Sequence, residues 1–308
     1  MNNNSFKGEQ LGYQQNPDLI DLKLVFAIIF RNKLFISYFV VVFALASVIY
    51  SLLLPNIYKA EASLAPAEEF ETGGSSNPMN SLTGLAGLAG IEIGQGEASK
   101  TDQGIARMTS LIFFEEILSE RDILPELIAS KGWDPKNNVI LFDESIYDPE
   151  SRVWKDASKV SKLIGYRKFK DSFDVETEKK TGILKVSFQH HSPYFSKEIL
   201  DTVITKINSL SVNKDVTKAD LSIEFLNKEI AGTNITEIRY VLSNLVQSQI
   251  QTIMLAKSSP EYLFSVIDPP YVNDLKFKPR RSLIVVFGTI LGFFLGAICT
   301  FIFRKEKN

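Results

Sequence analysis

Two long apolar runs stand near the ends of the chain, and the pattern between them changes period several times. Phe35 to Leu54 (FISYFVVVFALASVIYSLLL) and Ser282 to Phe303 (SLIVVFGTILGFFLGAICTFIF) contain no Asp, Glu, Lys or Arg. A helix rises 1.5 Å per residue, so about 20 such residues cover the roughly 30 Å hydrocarbon core of a bilayer. Each run is long enough to cross a membrane, and a buried core helix with no polar face at all is a poor alternative. The first run is longer than a secretory h-region and ends in Ser51-Leu52-Leu53-Leu54-Pro55, without a small-x-small cleavage pattern. It is expected to be a retained anchor. Two crossings put both termini on one side and the whole of Pro55 to Arg281 on the other.

Between the runs, Tyr58, Ala60, Ala62 and Leu64 alternate with Lys59, Glu61 and Ser63, which predicts a half-buried strand over 58–65. Further strands are predicted at Ile183–Phe188, after a Thr181-Gly182 turn, and at Tyr262–Ile267. Helical spacing marks Asp18–Phe30 as an interfacial helix, opened by Asp18 as a cap. It also marks Thr101–Ser119 (Ile105, Met108, Ile112, Ile117), its continuation to Ser130 interrupted by Pro125, and a short helix over Trp154–Ile164. Residues 1–16 are polar and patternless, and the Gly-rich stretch around Gly84-Leu-Ala-Gly-Leu-Ala-Gly90 reads as a loop, 71–100, with unusual apolar content.

The longest periodic segment starts at Ser192-Pro193, a cap followed by proline at the first helical position. Leu200, Val203, Ile207 and Leu210 step by three and four, and so do Ile235, Ile238, Leu242 and Leu245. Gly232 and an Asn234-Ile-Thr-Glu237 capping sequence separate the two blocks. The pattern therefore predicts a helical hairpin, Pro193–Ala231 out and back to Lys257, with one continuous helix as the alternative. A stripe that long, standing off a membrane, calls for partners, and copies of the same chain are the nearest. Three strands separated by helices make the fold class α+β.

Composition narrows the chemistry. The formal charge is −2 over 308 residues, so no strong field would gather nucleic acid, and no nucleic-acid partner is expected. The single cysteine, Cys299, lies inside the second apolar run, so the intervening domain can form no disulfide. No Walker loop, G-x-S-x-G elbow, H-E-x-x-H pair or cysteine pair occurs. His190 and His191 adjoin a strand end with no Cys or third His near them and read as ordinary polar residues. Glu115, Glu116, Glu120 and Asp122 read as a solvated helix face rather than a glycosidase pair. Asn234-Ile-Thr236 is a glycosylation sequon by pattern alone. The expectation is therefore no catalytic residue, no metal and no cofactor.

Two further features concern the membrane. Gly288, Gly292 and Gly296 recur every four residues in the second run, a smooth stripe for close helix packing or for a partner. Ahead of it, Pro269, Pro270 and Pro279 with Arg280 and Arg281 predict a semi-rigid extended strut whose bases meet membrane lipid. Arg31 and Lys33 precede the first run, and Arg304, Lys305 and Lys307 follow the second, so both tails read as cytoplasmic. Lys276, Lys278, Arg280 and Arg281 oppose that orientation, but long loops translocate largely regardless of charge.

The arrangement resembles the Wzz family, the polysaccharide co-polymerases or O-antigen chain-length determinants of Gram-negative inner membranes. The matching residues are Asp18-Leu-Ile-Asp-Leu22, Pro55 through Leu64 (PNIYKAEASL), Asn244-Leu-Val-Gln-Ser-Gln249 with Met254-Leu-Ala256, and Phe264 through Gly296. Where such proteins usually carry a proline, this chain has Asn273. The resemblance implies a homo-oligomer, often an octameric ring, with an α/β base near the membrane and long helices forming a periplasmic wall. It also implies partners: an O-antigen polymerase and its lipid-linked polysaccharide, whose length distribution the protein sets without catalysis. The chain stops five residues after the second run, so it is expected to lack the cytoplasmic kinase of capsule relatives. A capsule or exopolysaccharide export component is the alternative, and a periplasmic glycan-cleaving enzyme a remote third.

The expected organisation is a cytoplasmic tail with an interfacial helix, 1–33, and a first transmembrane helix, 34–54. A periplasmic domain, 55–281, follows, made of a base (55–192 and 258–281) and a long hairpin (193–257). A second transmembrane helix, 282–303, and a short tail, 304–308, complete it.

Overall fold

The computed structural model describes residues 30–67, 100–272 and 275–305. The interfacial helix expected over 18–30 (apart from its last residue), nearly all of the Gly-rich loop, and Asn273 lie outside them. The chain divides into two compact units, one of 1–54 with 280–308 and one of 55–279.

The first unit holds helices α1 (Lys33–Leu53) and, at the far end of the sequence, α8 (Arg281–Lys305). Only 11% and 17% of their apolar windows are buried, where the core helix of a soluble protein would be mostly covered. The two pack antiparallel along the glycine stripe. An added Cβ at Gly288 would lie 2.5 Å from Ser47 Cβ, one at Gly292 2.8 Å from Phe43 Cβ, and one at Gly296 3.2 Å from Ile36 Cα. Any side chain larger than hydrogen at the first two positions would push the helices apart.

The second unit is an α+β domain around one antiparallel sheet of order β6-β7-β1-β8. Strand β1 (Tyr58–Pro66) pairs with β7 (Leu184–His190) on one side and β8 (Phe264–Val272) on the other. Its alternation works as the residue pattern demands: Ala60, Ala62 and Leu64 are buried, and the residues between them are not. Helix α6 (Pro193–Gly232) crosses the buried face, burying Phe195, Ile199, Leu200, Val203, Ile204 and Ile207 against Leu184, Val186, Phe188 and Phe264. Ser192 caps it, its hydroxyl accepting from Phe195 N at 3.3 Å with Pro193 in the first turn. The helix runs 40 residues, about 60 Å at 1.5 Å per residue. It stops at Gly232, and α7 (Thr236–Ser258) packs back along it as a hairpin.

Several expectations are corrected. Three strands were expected in the sheet, but a fourth, β6 (Phe173–Thr177), forms an edge beside β7, with Phe173 buried and the exposed Asp174 beside it. The helix expected over Trp154–Ile164 is displaced to α5 (Lys162–Ser172), because Ser161 caps it by accepting from Ile164 N at 3.1 Å. Trp154 belongs instead to a two-residue strand, β5 (Val153–Trp154), paired with β4 (Tyr147–Asp148). A second small hairpin joins β2 (Ser130–Asp134) and β3 (Val139–Phe142) through a turn in which Asn138 takes a φ of 53°.

The helix expected over Thr101–Ser119 breaks into α2 (Lys100–Met108) and α3 (Leu111–Glu120), since the Ser110 hydroxyl caps Phe113 N at 3.2 Å. That break resets the helical phase, leaving Met108 and Ile117 buried but Ile112 exposed. Pro125 lies in the first turn of α4 (Leu124–Ala129) and so opens a helix instead of interrupting one. Asn234 is not the cap of α7. Ile235 holds that position without a side-chain bond, and the turn is tied instead by Arg239, whose guanidinium donates to Thr233 O at 2.9 Å.

Candidate functional site

The pre-membrane strut departs most from its expectation. Asp268 to Val272 is part of β8, not a free extended segment. Glu61 faces Tyr271 and Ser63 faces Asp268, so the single residue Ala62 stands opposite both Pro269 and Pro270. Two prolines can enter a sheet there because β8 is an edge strand and the bulge needs no N–H from them. Pro279 and Arg280 follow the last bridge of the domain, Ile57 with Lys278, and Arg281 begins α8.

The hairpin residues divide into two groups. Leu200, Val203 and Ile207 are fully buried by the chain's own sheet, and Leu210 packs at the margin of that core. The sequence reading gave all four to an outward stripe awaiting partners, which is corrected here: the base covers them. Leu210 and Leu245 line one groove of about 860 Å³ between α6 and α7, together with Leu221, Phe225 and the guanidinium-bearing Arg107. Leu242 is half-buried, whereas Ile235 and Ile238 are exposed, as are Leu221, Phe225, Val241 and Met254.

Residues that the pattern did not single out join the hairpin to the base. Asn208 is buried in α6, and its carboxamide uses all its capacity. Its Oδ1 accepts from Leu263 N at 2.8 Å and Phe264 N at 2.9 Å, and its Nδ2 donates to Phe264 O at 3.0 Å and Ile204 O at 3.2 Å. That one side chain seats the start of β8 on the long helix. Asp215, two turns further on, accepts from Tyr262 Oη at 2.8 Å and Lys100 Nζ at 2.7 Å. Burial works against its charge, but the two donors outweigh that and hold the carboxyl below its ordinary range. An isolated Asn or Asp on an apolar helix face was the available signal, and the partners on other elements lie more than 40 residues away.

The acidic helix face is occupied by ion pairs. Lys206 Nζ reaches Glu120 at 2.6 Å and Glu116 at 3.6 Å, Glu115 lies 4.0 Å from Lys162, and Asp122 accepts from Leu124 N at 3.0 Å. Arg121 bridges Glu126 and Glu198. The two histidines stand side by side with ring centroids 5.6 Å apart. His190 is buried and donates from Nε2 to Glu126 O at 2.9 Å, while its Nδ1 accepts from Ser192 N at 3.1 Å. That set suits only the neutral ring, and burial lowers the pKa to about 4. His191, also lowered by burial, faces Ser130 Oγ at 2.9 Å. Among the described residues, no group of three or more His, Cys, Asp or Glu is placed to hold a metal.

Residues 18–130 match the family model Wzz, "Chain length determinant protein". Two solved structures align over much of the chain. One is a full-length bacterial polysaccharide co-polymerase, 14% identical, covering 94% of this chain and 99% of its own, with a TM-score of 0.39. The other is a fragment of WzzB, a polysaccharide co-polymerase from Salmonella Typhimurium, 11% identical, covering 72% and 100%, with a TM-score of 0.34. Alignments this loose carry no weight for the fold, which stands on the elements described above. No curated protein sequence matches the chain. Over residues 18–130, which run from ahead of the first apolar helix to the start of β2, this chain is similar to the Wzz family.

Proposed function

We propose that this protein regulates the chain length of lipopolysaccharide O-antigen as a non-catalytic, two-pass scaffold of the bacterial inner membrane. Both termini are cytoplasmic and the 55–279 unit is periplasmic in this reading, and the work is done with a separate O-antigen polymerase acting on lipid-linked polysaccharide. The observation that carries it is the Wzz match lying on a chain whose two apolar helices bracket an α+β base with a 40-residue helix.

The apolar side chains left exposed on the outer part of the hairpin, Leu221, Phe225, Ile235, Ile238, Val241 and Met254, support a homo-oligomer, with an octameric ring as the expected form. Such a ring acts by geometry: it holds polymerase and growing glycan together and raises their local concentration until release. The glycine stripe of α8 and the Pro279-Arg280-Arg281 approach to it serve span packing and contact with lipid headgroups.

The test is a reconstitution. Polymerase and lipid-linked repeat units, with and without this protein, should give a modal ladder only with it. Equal ladders would remove the proposal. Recovery of an outer-membrane partner by crosslinking, in place of the polymerase, would move the protein to capsule or exopolysaccharide export.

A further inference from the structure

We propose that a cleft lined by β2, the first turn of α6 and the edge strand β8 binds the sugar rings of a polysaccharide, stacking them on Trp133, Tyr194 and Tyr271. The inference deepens the reading just given, since it supposes that the scaffold handles glycan. It names where.

The cleft has a volume of about 560 Å³, within the roughly 300–1,000 Å³ of ordinary ligand sites. Trp133 packs against two other rings of the lining. The ring of Tyr58 meets it edge-on with centroids 5.4 Å apart and an interplanar angle of 79°, and Tyr194 lies 6.1 Å away at 50°. The indole Nε1 donates to Asn138 Oδ1 at 3.0 Å, so the ring is held in place from the adjoining turn. Folding has covered almost every large ring of the base, yet Tyr194 is 61% and Tyr271 51% exposed here. Fixed aromatic faces left wet in a concave site call for a ligand that is apolar on its faces and polar at its rim.

A sugar ring is such a ligand, with C–H groups on its two faces and hydroxyls around its edge. The rim chemistry is present. Lys197 borders the cleft, and Tyr271 is shared with a second, smaller pocket on the outer face of the sheet. There Glu61, Asp174 and Glu176 alternate with Lys59 and Lys185, donors and acceptors of mixed sign suited to hydroxyls. With Lys197 included, three carboxylates against three lysines make no cationic field for a phosphate headgroup or a nucleic acid. A peptide strand is disfavoured too, because Pro269 and Pro270 at the bulge interrupt the regular ladder of β8 that it would extend.

The protein has only two tryptophans, and Trp154 is packed on Tyr147 in the β4–β5 hairpin at 4.8 Å. Full-length Trp154→Phe protein in neutral-lipid nanodiscs therefore reports emission from Trp133 alone. Titration with polysaccharide freed of lipid by mild acid, taken from the producing cells, should give a saturable change. Tyr194→Ala and Tyr271→Ala should each weaken binding about tenfold, whereas Tyr194→Phe, which keeps the ring, should stay within about threefold. Both tyrosines are exposed, so an unchanged melting temperature certifies the fold. No saturable change, undiminished affinity in both alanine variants, or a response to phosphatidylglycerol vesicles instead of polysaccharide would overturn the assignment. Modal chain length in cells separates the two readings. If the protein still sets length but the cleft takes no glycan, only the cleft is lost; if length is unaffected by the protein, the scaffold role is lost.

Discussion

The two halves of the long helix α6 both carry large apolar side chains, and these meet opposite fates. In the first half, Phe195, Ile199, Leu200, Val203, Ile204 and Ile207 are each no more than 5% exposed, covered by the chain's own sheet. Beyond Leu210, only Ala219 and Leu226 are buried, and Leu221 and Phe225 stay 63% and 62% exposed. Fully burying a Leu, Ile, Val or Phe side chain contributes about 1.5–3 kcal/mol, so the first half is stabilised within one chain and the second is not. A stripe at steps of three and four tells that a helix has a face to cover. It does not tell what covers it.

The largest effect should come from the covered half. Leu200→Ala leaves a cavity in the core, and Asn208→Ala strands the Leu263 and Phe264 N–H groups. Each is expected to cost about 2–4 kcal/mol, read as a clear drop in melting temperature. A similar truncation in the outer half, Phe225→Ala, should barely move it. If both halves responded alike, the contrast would be wrong.

Next is acid sensitivity of the base. Between pH 6.5 and about 4, the unfolded chain binds a proton at His190 that the folded chain refuses. Stability from this group is complete above pH 6.5 and falls as pH drops through that window, by up to about 3 kcal/mol. Melting curves at descending pH should show this slope, and His190→Gln should flatten it. A slope unchanged in the variant would place the acid sensitivity elsewhere, His191 being the first alternative.

A smaller effect is expected in the apolar pair. Gly292→Leu puts a side chain where Phe43 Cβ and Phe39 O already lie within 2.8 and 3.0 Å of a Cβ. Overpacking of this kind costs about 1–3 kcal/mol and should lower the yield of intact particle. Wild-type yield and modal length would mean that the two spans separate freely.

The smallest effect on folding should come from the exposed return helix. Ile238→Asp is expected to change domain stability by no more than about 0.5 kcal/mol while reducing the mass of the detergent-solubilised particle. Leu242→Asp, half-buried, should do both, weakening the hairpin as well. An unchanged particle mass in both would assign this face to something other than copies of the chain.

Legibility followed the range of the interactions. The apolar helices, the strands of 58–65 and 183–188 and the limits of the hairpin rest on local composition, caps and period, and the structure places them within a few residues. Strand β6 escaped notice because five residues with only Phe173 and Val175 facing inward are too short a pattern beside charged neighbours. The break at Ser110 was written in the chain as a cap, but a continuous helix fits the same apolar spacing nearly as well. Asn208 stands out only as a polar residue on an apolar helix face, with nothing to name its partners, and nothing local marks the aromatic cleft, whose rings come from positions 58, 133, 194 and 271.

Order along the chain was thus enough to determine two lipid-length helices, the alternation of β1 and a capped helix of 40 residues, because each depends on neighbours a few positions apart. Folding alone decided that the near half of that helix lies on its own sheet, that two prolines enter an edge strand at a bulge, and that four distant aromatics meet. Those outcomes turn on strand register and on which surfaces come into contact, and neither is encoded at the range where a residue pattern can be read.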